Sequence, residues 1–398
     1  MVAKVKWFGR FGKPVLLGVA LGAMAMARIP AGRCAKNQVL GLNKVIAFSY
    51  PPTKDFDPKQ LRSVTLLGPT SSDAWKDWQT RGVVTGVGHT WTDLLRSPID
   101  KAVENLVTMN YGGNPHPVVM IDEFGFDYGG LMDEKSAQIL RQTKLRMPGL
   151  ALAVWDMRGP IPQVLAEAYR DVADLVMMES YLGGKKQYWW MASQVFSARC
   201  YGILPKTIVV LGVGKGGNPG EDWAETNEEL EQQIRFVRLI APESPGVGFF
   251  GGTPELLARA DALCEHWFDI PTDGSGLPED LRELAATFSG HHKKPTLVVS
   301  PYLVEPNYAE DGKGLAQPVT LRAYLINLGD QDARDVKVRL RNPPAKGGNI
   351  FAEGVVPVIP KRSEAVGVLA VTGEWHVWVG QWLMEIDAPG CEVLSYSM

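Results

Sequence analysis

The sequence predicts an α/β protein: a (β/α)8 barrel followed by a small all-β sandwich. Eight short apolar runs alternate with helix-like segments over about 230 residues, which is the arithmetic of eight parallel strands each followed by a helix. Several runs are apolar at every position, as expected of strands covered on both faces. Near Gly290 the helical period gives way to two-residue alternation, which marks a second domain. A doubly wound open sheet is the alternative for the first part; the count of eight favours closure.

The runs occupy residues 45–50, 64–68, 83–88, 118–123, 150–156, 175–181, 207–213 and 246–251. Helix-like segments lie at 72–81, 98–110, 132–147, 162–173, 185–201, 226–240 and 253–268. Ser97-Pro98 and Thr253-Pro254 read as caps before a helix-opening proline. Thr226 with Glu229 reads as a capping box. Domain limits follow: a leader over 1–34, the barrel over 40–290 and the sandwich over 295–398.

The leader has the pattern of a bacterial secretory signal. Lys4, Lys6, Arg10 and Lys13 precede an apolar stretch over 14–27 that ends in Ala25-Met26-Ala27. That stretch is short for a spanning helix. A secreted or periplasmic protein with no membrane attachment after cleavage is expected; an uncleaved anchor is the alternative. Cys34 follows Arg33, where a lipobox needs a small residue. Cys200, Cys264 and Cys391 are not spaced as Cys-x-x-Cys, and the first two are expected to be buried and inert. The net charge of −3 and the lack of a basic stripe argue against nucleic acid as a partner.

In a barrel the active site is built at the carboxyl ends of the strands. Here that rim is rich in acids: Asp93, Asp122, Glu123, Asp127, Asp156 and Glu179. Aromatic residues accompany them at Tyr50, Trp91, Tyr128, Trp155, Tyr181 and Phe250, with His89, Arg158, Lys215 and Asn218. Paired acids with flat apolar rings are what glycoside hydrolysis uses. A single acid at a strand end is often only a cap or an ion pair. Glu123 and Glu179, however, close runs that are otherwise apolar, where desolvation raises a carboxylate's pKa toward that of a general acid.

The eight-run pattern, Asp122-Glu123 after the fourth run and Met178-Glu179-Ser180-Tyr181 after the sixth together resemble a TIM-barrel glycoside hydrolase. Adjacent Asp-Glu after the fourth strand resembles the hexosaminidase type. Acids after the fourth and sixth also resemble the chitinase-like and α-galactosidase-like groups. The chitinase-like Asp-x-x-Asp-x-Asp-x-Glu run and the Asn-Glu pair of many retaining β-glycosidases are absent. The resemblance implies Glu123 as general acid and Glu179 as nucleophile or base, with Asp122 or Asp127 orienting the sugar. Tyr50, His89, Trp91, Asp127, Trp155, Asp156, Tyr181 and Lys215 would bind a poly- or oligosaccharide. No cofactor and no metal is implied. A carboxylate separation of about 5 Å would mean retention of configuration and roughly 6.5–9.5 Å inversion.

Rival readings use other residues. Gly212-Val213-Gly214-Lys215-Gly216-Gly217 matches a dinucleotide fingerprint literally, but no helix start follows it directly. The glycines after the seventh and eighth runs suit a phosphosugar barrel; the secretion pattern and the absence of lysine in the sixth run argue against one. No His-x-His follows the first run and there is no His-Glu-x-x-His, so a zinc hydrolase is disfavoured. His89 and His116 are expected to be hydrogen-bonded rim or loop residues. A barrel that binds glycans without cleaving them remains the main alternative.

In the second part, Leu321 to Gly329 and Ala333 to Leu340 resemble the CARDB-type immunoglobulin-like domains of bacterial secreted proteins, in which a strand ends in Asn-x-Gly. Here that is Asn327-Leu328-Gly329. The resemblance implies an accessory module. Trp375, Trp378 and Trp382 break strict alternation, so at least one is expected in the core.

Overall fold

The structure, a computed structural model, describes residues 38–49, 61–68, 78–114, 116–124, 131–157, 160–180, 188–214, 223–307, 315, 317–374, 376 and 381–396, with backbone alone at 123, 124, 131 and 132. The leader 1–34 and the start of the segment at 72 lie outside these residues. Among the described residues no helix is long and apolar enough to cross a membrane.

Eight strands form the first domain. They are β1 (Val45–Ser49), β2 (Leu66–Leu67), β3, broken into Val84–Thr85 and Val87–Thr90, and β4 (Val118–Phe124). β5 (Ala151–Asp156), β6 (Leu175–Glu179), β7 (Thr207–Val213) and β8 (Gly246–Gly251) follow. Every neighbouring pair is parallel, and β8 returns to pair with β1 in the register Val45↔Gly246 to Ser49↔Phe250. The first half of β3 pairs with β2 and the second half with β4. Only Gly86 separates the halves, so the ring is closed and the chain is a (β/α)8 barrel.

Strand alternation divides the apolar residues into two sets. One set faces inward and includes Val45, Ala47, Leu66, Val118, Met120, Ala153, Leu175, Met177, Ile208 and Val210. The other faces the helices and includes Ile46, Phe48, Val119, Ile121, Val154, Val176, Val209 and Phe249. The interior is packed by size complementarity. A Cβ on Gly86 would lie 2.7 Å from Met120 Cγ, and one on Gly68 2.5 Å from Met120 Sδ. The long Met120 side chain fills the room left by these two glycines.

The closing seam has the tightest approach. A Cβ on Gly246 would lie 1.7 Å from the Val45 carbonyl oxygen, and backbone on both sides is locked in the β8–β1 ladder. Gly246→Ala is therefore expected to cost about 3 kcal/mol or more, read as a lower urea midpoint. An unchanged midpoint would mean that the seam is not closed as described.

The outer layer is α1 (Trp91–Leu95), α2 (Ile99–Val107), α3 (Leu131–Arg146), α4 (Gln163–Val172), α5 (Tyr188–Cys200), α6 (Asn227–Ile240), α7 (Pro254–Glu265) and α8 (Glu279–Ser289). The Thr226 capping box forms: Glu229 N donates to Thr226 Oγ1 at 3.2 Å and Thr226 N to Glu229 Oε2 at 3.2 Å. Thr253 caps α7 by accepting from Leu256 N. The Ser97 expectation fails. Pro98 is the residue before α2, and Ser97 Oγ instead donates back to the Asp93 carbonyl, finishing α1. Cys264 is buried as expected. Cys200 is exposed at the end of α5, although its thiol donates to the Arg362 carbonyl of the second domain at 3.3 Å.

The second domain is all-β: β9 (Thr296–Val299), β10 (Val304–Pro306), β11 (Thr320–Asn327), β12 (Ala333–Arg341), β13 (Ile350–Ile359), β14 (Ser363–Val371), β15 (Leu383–Asp387) and β16 (Glu392–Ser395). The strands pair antiparallel except β9 with β16, which is parallel. β15 and β16 follow one another and lie at the two ends of the strand order, so the sheet curls into a barrel-like shell around Leu297, Val338, Phe351 and Leu369. The Asn-x-Gly motif is structural. Asn327 Oδ1 accepts from Thr296 N and Gly329 N, and its Nδ2 reaches the carbonyls of Gln331, Ile359 and Pro360. A Cβ at Gly329 would lie 2.2 Å from the Lys294 carbonyl oxygen. Trp382 is core, packed edge-on against Phe351; Trp375 and Trp378 lie outside the described residues.

The two domains share one apolar core. Val298, Leu303, Tyr324, Ile326 and Leu328 belong to the same buried cluster as the outer layer of the barrel. Tyr396 stacks on Trp189 of α5 at 5.4 Å, 13° from parallel. A polar clasp sits beside this core. Arg322 of β11 reaches Asp133 of α3 at 3.2 Å, Glu305 at 2.5 Å and the Tyr324 hydroxyl. Burial opposes the charge on Arg322, but Glu305, Tyr324 and Asp133 outweigh it and hold its pKa above the ordinary guanidinium value.

Candidate active site

Inward-facing positions at the carboxyl ends of the strands build the mouth of the barrel. Asp122 follows Met120 by two residues on β4 and has Thr90 as its partner on β3. Trp155 follows Ala153 on β5 and lies in the interior cluster. Glu179 follows Met177 on β6, with Val210 opposite, and is 1% exposed. Two carboxylates on β4 and β6 thus share the interior face, with the Trp155 indole on the strand between them.

The register slips at the acidic pair. Ile121 faces Val154 and Phe124 faces Asp156, so β4 spends three steps where β5 spends two. A bulge of this kind bends a strand and re-aims its side chains. It falls at Asp122-Glu123. The side chain of Glu123 lies outside the described residues, as do Tyr50, Asp127, Tyr128, Arg158, Tyr181, Lys215 and Asn218.

Alternation sends other expected site residues away from the mouth. Asp156 is fully buried on the helix side, where Tyr169 of α4 donates to its Oδ2 at 2.7 Å. It anchors α4 to β5 and offers no edge to a sugar. Trp91 opens α1 and is 1% exposed among the outer-layer residues, so it has no free ring face. His89 is opposite Ile121, on the helix-facing side by alternation, and its Nδ1 lies 3.1 Å from the Thr90 carbonyl oxygen. His116 precedes β4, at the opposite end of the barrel. There it borders a groove of about 580 Å³ with Leu40, Thr85 and Asp174. The 39–42 turn packs into that end, since Val39, Leu40 and Leu42 join the interior cluster.

Several contributors escape the sequence reading. Gly214 N donates to the Ala224 carbonyl at 2.7 Å and Ala224 N to that of Gly212 at 3.1 Å. This return carries Trp223 into the interior cluster, edge-on to Phe250 at 5.4 Å. Gln194 of α5 holds the end of β6: its Nε2 donates to the Glu179 carbonyl at 2.9 Å, and Ser180 Oγ donates to its Oε1 at 2.5 Å. The signal for Gln194 is a polar residue within the almost wholly buried helix Tyr188–Cys200. Ser49 Oγ and Trp155 Nε1 are buried without a hydrogen-bond partner among the described residues. Among those residues no group of His, Cys, Asp and Glu has the geometry of a metal site.

No family model matches the chain, and no curated protein matches it. Solved structures do. The spore cortex-lytic enzyme SleL of Bacillus megaterium is 12% identical at TM-score 0.42, covering 57% of this chain and 75% of its own. A chitinase from Chromobacterium violaceum is 13% identical at 0.41, covering 55% and 99%. The catalytic domain of a hyperthermophilic chitinase from Pyrococcus furiosus is 12% identical at 0.43, covering 56% and 96%. At such identities and scores the fold rests on its own strand order and register.

Proposed function

We propose that this chain is a glycoside hydrolase that cleaves O-glycosidic bonds of a poly- or oligosaccharide at the carboxyl-terminal mouth of its barrel. One observation carries this reading: strand alternation puts Asp122 and Glu179 on the interior side of one mouth, with Trp155 on the strand between them. Glycosidic cleavage needs one group to protonate the leaving oxygen and another to attack the anomeric carbon or activate water. Glu179 takes the second role. Glu123 takes the first, on its place beside Asp122 at the bulge, and Asp122 orients the sugar. The buried hydroxyl of Ser49 and indole N–H of Trp155, both without a partner among the described residues, support a hydroxyl-rich ligand. The reading needs no cofactor and no metal. The second domain is proposed as an immunoglobulin-like module, and the leader as an export signal that delivers the enzyme to its polymer.

The test is reducing-sugar release from a broad polysaccharide and aryl-glycoside panel, chitin included, with Glu123→Gln and Glu179→Gln in parallel. Release by the wild type and loss in both variants is expected. Release untouched by either substitution would sink the assigned roles. Glycan binding with no release from any substrate would replace the hydrolase by a binding protein.

A further inference from the structure

The seam between the two domains holds a carboxyl group with no cation beside it. Glu364 lies at the start of β14, opposite Ile326 of β11, and faces the end of α5. The Ser197 and Tyr201 hydroxyls of the barrel lie near its carboxyl group, and its Oε2 is buried without a hydrogen-bond partner among the described residues. Among the described residues Glu364 makes no ion pair. Arg362, two residues before it in the turn, is engaged elsewhere: its Nη1 donates to the Gly290 and Leu328 carbonyls, and its guanidinium lies over the Phe196 ring. From the barrel side, Arg199 is bound to Glu243 and to the Ile240 carbonyl. Cys200 faces the group from α5, and Glu167 of α4 lies near enough to Tyr201 to act on it. Glu364 as a whole is half-buried with its Oε2 shielded from solvent, so its ionised form would be a partly desolvated charge at a domain boundary with no counter-ion among the described residues, an arrangement that disfavours ionisation.

We propose that Glu364 makes the docking of the β-domain on the barrel proton-dependent, tight while its carboxyl group is protonated and looser once it ionises. Burial is the larger influence and pushes this carboxyl up to about 7 from 4.5, against the smaller opposite pull of the Tyr201 and Ser197 hydroxyls. Between those two pH values the docked form keeps a proton that the undocked form has lost. Docking is therefore at full strength below about 4.5 and loses strength as pH rises through about 7. Seam-forming residues on α5 sit one turn from Gln194, which holds the strand end of Glu179. The same proton is thereby placed close to the support of the candidate site.

The experiment is thermal unfolding of the whole chain between pH 5 and 8.5, for the wild type, Glu364→Gln and Tyr201→Phe. Glu364→Gln keeps the shape of the group and abolishes its ionisation. Its midpoint should exceed that of the wild type by a margin that is small at pH 5, grows through pH 7 and levels off above it. Tyr201→Phe removes a hydroxyl that favours the ionised form, so the inflection should move to higher pH than in the wild type. Parallel wild-type and Glu364→Gln curves across the range would overturn the proposal. So would a Tyr201→Phe inflection that stays in place or moves to lower pH, which keeps the test decisive if Glu364→Gln does not fold.

Discussion

Glu179→Gln is expected to lower glycoside hydrolysis by about a hundred- to ten-thousand-fold while the fold persists. The amide keeps the size of the side chain and loses its ability to attack or to take a proton. Glu179 is 1% exposed, and glutamine fills the same space. Replacing it by a neutral group of equal size should keep stability within about 1 kcal/mol of the wild type. Hydrolysis rates and the urea midpoint, measured on the same preparation, check both halves. Full activity in the variant would remove Glu179 from the chemistry. Activity and stability falling together would make it a support for β6 instead.

Arg322→Met should have the largest effect on stability outside the barrel seam. Asp133 is 3% exposed, and with Glu305 it depends on the Arg322 guanidinium. Removing that cation leaves two carboxylates at the domain boundary without the guanidinium that both bind. The expected loss is about 3–5 kcal/mol, the cost of stranding a buried charge. Adding Asp133→Asn and Glu305→Gln to Arg322→Met should recover most of it, because a neutral boundary no longer needs a cation. Urea unfolding of the single and triple variants is the measurement. A single variant within about 1 kcal/mol of the wild type would place the clasp among ordinary surface pairs.

The barrel was legible because parallel strands covered on both faces have a plain signature. β7 and β8 coincide with the apolar runs at 207–213 and 246–251. The break in β3 was not legible, since Gly86 makes room for the Met120 side chain of the neighbouring strand β4. α8 has a legible pattern of its own: acids at Glu279 and Asp280, then Leu281, Ala285 and Phe288 on one face. The site was harder. A run apolar on both faces does not say which of two adjacent end residues points inward. Trp155 and Asp156 are neighbours in sequence, yet one lines the interior and the other binds Tyr169 behind the sheet. Trp91 shows a related difficulty, because the sequence does not mark where β3 ends and α1 begins. Trp223 reaches the interior only through the backbone return at Gly214, which no local pattern announces.

The shared core has a consequence for synthesis. The barrel strands and their helices leave the ribosome first, but the face of α5 that Tyr396 covers must wait for some two hundred further residues. At ordinary elongation rates that interval is roughly 10–40 s. The β-domain cannot shorten it, because β9, its first strand, completes its pairing only when β16 arrives. Throughout that time Trp189 and its apolar neighbours are open to solvent and to other nascent chains. Truncations that end between 300 and 390 are therefore expected to aggregate rather than to yield a free-standing barrel, and the chain should need a chaperone's protection most during its last quarter.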